Sequence, residues 1–249
     1  MIVLASFALS SVAWATCSNA SLSGPYRFLH DGTNSNGAPV SAAVSQIRFD
    51  STTGTFTGET TSSRDGVITT FFFNGIYAVA SDCTGTGTPA AGNSFSFVVT
   101  PTGFLVVEPF NHTTGVTAEG FAVKQGAPTC TNAGVEGSFG FETNGVFLTA
   151  ATESSAFIGE LKLTVNSSGE GAISGHVAGS EDGTTLTFAD EPVTGSYKVA
   201  SDCRGTATIT PKGRREMHFS LVVMDSGKEM LAVETDADTV VSGTLVKGN

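Results

Sequence analysis

The chain has 249 residues, a formal net charge of −11 from 23 acidic and 12 basic side chains, and only 14% charged residues in all. That length suits one or two small domains. An acidic chain without a basic cluster argues against nucleic acid or anionic lipid as a partner.

The first fifteen residues, Met1 to Ala15, carry no charged side chain and end in Ala13-Trp14-Ala15, the small-x-small pattern of a signal-peptidase site. This stretch is too short to span a bilayer, which takes about 20 apolar residues. Residues 1–15 are therefore read as a signal peptide, leaving no integral membrane segment after cleavage and a secreted, periplasmic or cell-surface protein. A lipobox is the competing reading of Cys17, but the residue before it is Thr16 rather than a small one.

From there the chain repeats itself. Cys17-Ser-Asn-Ala returns as Cys130-Thr-Asn-Ala, 113 residues later, and Ala78-Val-Ala-Ser-Asp-Cys83 as Lys198-Val-Ala-Ser-Asp-Cys203. Phe95-Ser-Phe-Val-Val99 recurs as Phe219-Ser-Leu-Val-Val223, and Leu105-Val-Val-Glu108 as Leu231-Ala-Val-Glu234. Two copies of one unit follow, 16–126 and 127–249, each of ordinary small-domain size.

No window has helical periodicity. Runs rich in Val, Thr, Phe and Ile alternate with Gly, Asn, Asp and Ser, the pattern of half-buried strands. In the first unit strands are predicted near 24–31, 40–50, 54–62, 66–73, 75–81, 94–100, 103–109 and 115–124. In the second they are predicted near 137–143, 145–152, 157–166, 171–178, 183–189, 194–201, 205–210, 217–224, 229–235 and 239–247. Asp31-Gly32, Asn36-Gly37, Asp65-Gly66, Asn74-Gly75, Asn144-Gly145 and Asp182-Gly183 are candidate hairpin turns. The fold class is all-β, as two tandem small antiparallel up-and-down barrels, because closure removes exposed sheet edges. A pair of β-sandwiches is the alternative.

Four cysteines in an exported chain point to two disulfides. The pairing that respects the repeat is Cys17 with Cys83 and Cys130 with Cys203, each bridge tying a unit's first segment to a strand that starts after the Ser-Asp-Cys turn. Cys-x-x-Cys spacing is absent, and the four histidines, His30, His112, His176 and His218, have no His counterpart in the other unit. Neither a metal nor a cofactor is expected.

Glu108 and Glu234 close an apolar strand in both units. If Val106 and Ala232 face inward, alternation turns the carboxylate inward as well, where it serves a ligand or a proton transfer. If they face outward, it is a solvated edge residue. Tyr77 and Tyr197 precede the repeated Ser-Asp-Cys, and each hydroxyl either orients a ligand or anchors the barrel's closing seam. These four side chains are the candidate ligand-binding residues. No catalytic motif is present: the chain lacks a Gly-x-Ser-x-Gly elbow, a phosphate-cradling loop, His-Glu-x-x-His and a calcium loop.

The Cys-x-Asn-Ala openings, the Tyr-x-Val-x-Ser-Asp-Cys-x-Gly-Thr segments and the closing Glu-Thr-Asp-x-x-Thr-Val-Val-Ser-Gly-Thr at 234–244 resemble uncharacterised secreted tandem-repeat β proteins of environmental bacteria. At the level of fold the pattern resembles the barrels of the allene oxide cyclase and dirigent type, and more loosely the calycins. The resemblance implies a barrel and carries no activity with it. The expected role is binding of a small apolar molecule or a surface partner. An isomerase or cyclase acting on a lipid-like substrate is the alternative, and a purely structural surface or matrix protein is another.

Overall fold

A computed structural model describes residues 16–110, 116–125, 130–148, 152–180 and 188–248. The segment read as a signal peptide, 1–15, lies outside the described residues, as do His112 and the Asp182-Gly183 pair. Among the described residues no helix is long and apolar enough to cross a membrane.

Among the described residues sixteen strands form two closed antiparallel barrels, each strand paired with its neighbours in chain order. Barrel 1 consists of β1 (Gly24–Thr33), β2 (Pro39–Asp50), β3 (Thr55–Arg64), β4 (Val67–Val79), β5 (Thr84–Pro89), β6 (Phe95–Val99), β7 (Gly103–Phe110) and β8 (Val116–Lys124). Barrel 2 consists of β9 (Gly137–Leu148), β10 (Thr152–Val165), β11 (Gly171–Ser180), β12 (Phe188–Val199), β13 (Arg204–Pro211), β14 (Met217–Met224), β15 (Glu229–Glu234) and β16 (Thr239–Lys247). Pairing of β1 with β8 and of β9 with β16 closes the rings.

Three expected turns are strand interior. Asn74-Gly75 lies within β4, where Gly75 stands opposite Phe56 and a Cβ would meet the Thr88 carbonyl oxygen and the Phe56 ring. Its glycine clears space for an aromatic ring instead of reversing the chain. Asn144-Gly145 likewise lies within β9, and Asp31-Gly32 within β1. By contrast Asp65 and Gly66, at φ 49° and 75°, form the two-residue β3–β4 hairpin that the Asp-Gly pair predicts. The ten strands expected in the second unit thereby reduce to eight, and β5 joins the first unit after the Asp82-Cys83 turn.

The bridges Cys17–Cys83 and Cys130–Cys203 each lie within one repeat. Both late cysteines adopt positive φ, 69° and 71°. Asp82 and Asp202 hold those turns by accepting from the backbone N–H of Thr84 and Arg204 at 3.0 and 3.1 Å, the Asx geometry that short acidic side chains favour. Two disulfides fit an extracellular or periplasmic setting.

The barrels pack side by side. Leu29, Ala42 and Val44 on the outer face of barrel 1 meet Val146, Val222, Met224, Leu231, Val233 and Val240 of barrel 2 in one buried cluster. Strands β1 and β2 are therefore apolar on both faces, which is why their burial does not alternate. Two backbone-directed bonds lock the register: Ser63 donates to the Thr239 carbonyl, and Asp238 N donates to Gly66 O at 3.0 Å.

Candidate functional site

Strand alternation turns Phe28, Ile47, Phe73, Phe95 and Phe104 into barrel 1, where they surround a cavity of about 170 Å³. His30, Ser45, Thr60 and Asn93 are the polar side chains at its wall. It opens at the end of the barrel opposite the disulfide, beneath the β5–β6 loop and beside Phe71. Below the cavity Phe49 packs edge-on against Tyr26, Tyr77 and Phe104, and Tyr26 packs tilted against Phe104, with centroids 4.9–5.5 Å apart; edge-to-face is a favoured aromatic geometry.

The wall carries no ionised group among its described side chains. Burial pushes the His30 imidazole down to about 4, so it is neutral at physiological pH. Ser45 donates to Thr60 Oγ1 at 2.7 Å, and Thr60 donates in turn to Val44 O at 3.2 Å.

Among the described residues of barrel 2 the interior cavity is about 20 Å³. The repeat shows why. Phe104 faces Ala122 across β7–β8, while the corresponding pair in barrel 2 is Met230 facing Leu245. Aliphatic chains with several torsions mould themselves into an irregular core, whereas a rigid ring such as Phe104 adapts less to the space around it.

The four predicted ligand residues divide. The Tyr77 hydroxyl donates to Asn19 O and Leu22 O at 3.0 and 2.9 Å, and Tyr197 donates to Asn132 O at 3.1 Å. Both hydroxyls anchor the segment after each early cysteine, and burial pushes both up to about 12. The side chains of Asn19 and Asn132 complete that anchor by accepting from Val79 N and Val199 N. Both tyrosines thus serve the barrel seam; Tyr77 does not line the barrel 1 cavity, and Tyr197 lines the small space inside barrel 2.

Glu234 faces inward, on the same side of β15 as Ala232 and Met230, and is fully buried. Arg215, from the β13–β14 loop, reaches it at 2.5 Å, lies over the Phe147 ring at 4.7 Å and also contacts Asp236 at 3.2 Å. Burial pushes Glu234 up to about 7 against the lowering pull of Arg215. His218 hydrogen-bonds Asp236 at 2.7 Å, which raises its pKa. This cluster plugs the mouth of barrel 2. Glu108 lies in β7 opposite Ala118, and its side chain lies outside the described residues. The buried carboxyl and the open cavity are therefore in different barrels. Among the described residues no group of three His, Cys, Asp or Glu is placed to hold a metal ion.

The cavity residues His30, Ser45 and Thr60 escaped the sequence reading. Their signal was in the repeat: in the barrel 2 registers, Thr143 stands where His30 does, Gly159 where Ser45 does and Val177 where Thr60 does. Ser45 and Thr60 are polar in this copy only, whereas Thr143 keeps a polar side chain at the His30 position, and that difference marks a divergence in what the two interiors hold.

No family profile matches the chain, and no curated protein does. A solved structure of a DUF3598-family protein of unknown function from Nostoc punctiforme aligns over 92% of this chain and 97% of its own, at 11% identity and a TM-score of 0.29. At that level the likeness carries no functional argument.

Proposed function

We propose that this is an exported tandem barrel that binds one small, neutral, largely apolar molecule inside barrel 1. The observation that carries the reading is the asymmetry between copies: an aromatic-walled cavity of about 170 Å³ in one and about 20 Å³ in the other. The cavity opens to solvent, so an apolar occupant gains by removing its own surface and the aromatic wall from water. Apolar cavities of about 150 Å³ hold one benzene, so the expected ligand is a single substituted ring or a short branched chain. That size disfavours a lipid-like substrate, since sites for larger ligands run from about 300 Å³ upward. Neutral His30 favours an uncharged polar group, such as a phenol or a carbonyl, on the ligand.

Barrel 2, with a filled interior and an ion-pair plug, has a structural role in this reading. Titration calorimetry of the purified chain with p-cresol tests the proposal. One saturable site per chain is expected, with toluene competing. Absence of saturable heat for both compounds refutes it.

A further inference from the structure

The outer face of barrel 1 carries a row of side chains beside the barrel–barrel contact. Arg27 on β1 stands opposite Gln46 on β2, Gln46 opposite Glu59 on β3, and Glu59 opposite Phe72 on β4. One step toward the disulfide end, Arg48 stands opposite Pro25, and Gln125 N donates to Pro25 O at 2.9 Å. Barrel 2 faces this row with the turn Ser201-Asp202-Cys203, and a cleft of about 710 Å³ lies between them. The Asp202 carbonyl accepts from Arg27 Nη2 at 3.0 Å and from Gln46 Nε2 at 2.8 Å.

Two side chains lining the cleft are nearly sealed from solvent yet incompletely satisfied. Arg27 is 6% exposed and its Nε has no partner among the described residues; Gln125 is 5% exposed, and both its Nε2 and its Oε1 lack one among them. Buried polar atoms are seldom left in that condition. Among the described residues Arg27 hydrogen-bonds only carbonyls, those of Tyr26 and Asp202. The acids bordering the cleft are committed elsewhere, since Glu59 and Asp202 both pair with Arg204. Burial lowers Arg27 to about 10, and the guanidinium stays cationic at neutral pH. Exposed Arg48 has no acid partner among the described residues. At the far end of the row the Phe72 ring is 82% exposed.

We propose that this cleft binds a small organic carboxylate whose other end is an aromatic or aliphatic group. The carboxylate takes Arg27 Nε and Gln125 Nε2, as planar guanidinium and amide donors suit it. Arg48 adds charge, and the apolar end lies toward Phe72. Three strand spacings separate Arg27 from Phe72, about 14 Å between backbones, so several carbons must separate acid from ring.

The repeat supplies an internal control. On the corresponding face of barrel 2, Gly140 replaces Arg27, Glu160 replaces Gln46, His176 replaces Glu59 and Pro192 replaces Phe72. That face is acidic, so the chain carries the cationic cleft once.

The test is calorimetric and NMR titration of the full chain with 4-phenylbutyrate, its primary amide and sulfate. The proposal expects one saturable site for the acid, with the amide at least tenfold weaker and sulfate a weak competitor. Arg48→Gln and Phe72→Ala, both at exposed positions, are each expected to weaken the acid at least fivefold without moving Tm. Arg27→Gln is expected to abolish the site. The cavity variant Ser45→Ile retains it, which separates this cleft from the barrel 1 interior. Equal affinity for acid and amide, wild-type affinity in Arg48→Gln and Phe72→Ala, loss of the site in Ser45→Ile, or sulfate binding as tightly as the acid would each overturn the assignment.

Discussion

Ser45→Ile separates ligand binding from stability. Ser45 is 2% exposed on the cavity wall and donates one hydrogen bond, to Thr60. Losing that bond costs about 1 kcal/mol, and Thr60 keeps its own acceptor at Val44 O. Two added carbon groups contribute about 0.8 kcal/mol each when buried, and a β-branched side chain suits a strand. The net change in stability is thus within about 1 kcal/mol. Each added group displaces about the ~30 Å³ that a water occupies, leaving about 110 Å³, less than the ~150 Å³ that holds a benzene ring. Urea unfolding of both proteins, with and without p-cresol, reads both quantities. At about 100 times Kd the wild type should gain about 2.7 kcal/mol, whereas the variant should gain less than about 0.5 kcal/mol by the same relation. If Ser45→Ile kept the wild-type stabilisation, the cavity would not be the binding site, and the asymmetry between copies would have no bearing on a ligand.

Three further outcomes follow from the geometry. Glu234 is raised in the folded state to about 7, so its contribution is fully present below the unfolded value and is lost as pH rises through the folded one. Relative to Glu234→Gln, the wild type should lose up to about 3 kcal/mol between pH 4.5 and 8, at ~1.36 kcal/mol for each pH unit separating the unfolded and folded values; the raised His218 acts in the same direction. A flat difference in denaturant stability across that range contradicts the burial of this carboxyl. Cys17→Ala with Cys83→Ala, and separately Cys130→Ala with Cys203→Ala, should each cost about 4 kcal/mol by loop entropy. Only the second pair should weaken 4-phenylbutyrate binding, because the Cys203 turn forms the cleft's wall. Val44→Asp places an unpaired carboxylate in the contact between barrels and should cost about 3 kcal/mol or more. Small-angle scattering of that variant should show the barrels separated, and an unchanged profile would contradict the apolar contact.

Much of this molecule was legible from local chemistry. Period-two alternation, Asp-Gly and Asn-Gly pairs and paired cysteines are properties of short segments, and the duplication lets each copy check the other. They determined an all-β chain, two barrels, and bridges confined to each repeat. Asn74-Gly75 misled for a physical reason: a turn and a ring-accommodating gap both call for glycine, and only the Phe56 ring opposite distinguishes them. The inward parity of Glu234 was likewise undecidable, since β15 is apolar on both faces, one toward the barrel interior and one toward its neighbour.

Tertiary structure alone decided where space remains and which polar groups lack partners. Phe104 lines open space in barrel 1, whereas Met230 and Leu245 line the nearly filled interior of barrel 2. The cationic cleft exists because a turn of barrel 2 comes to rest on Arg27, 175 residues away along the chain. Both depend on side chains brought together by closure and docking, and such coincidences leave no pattern within either segment.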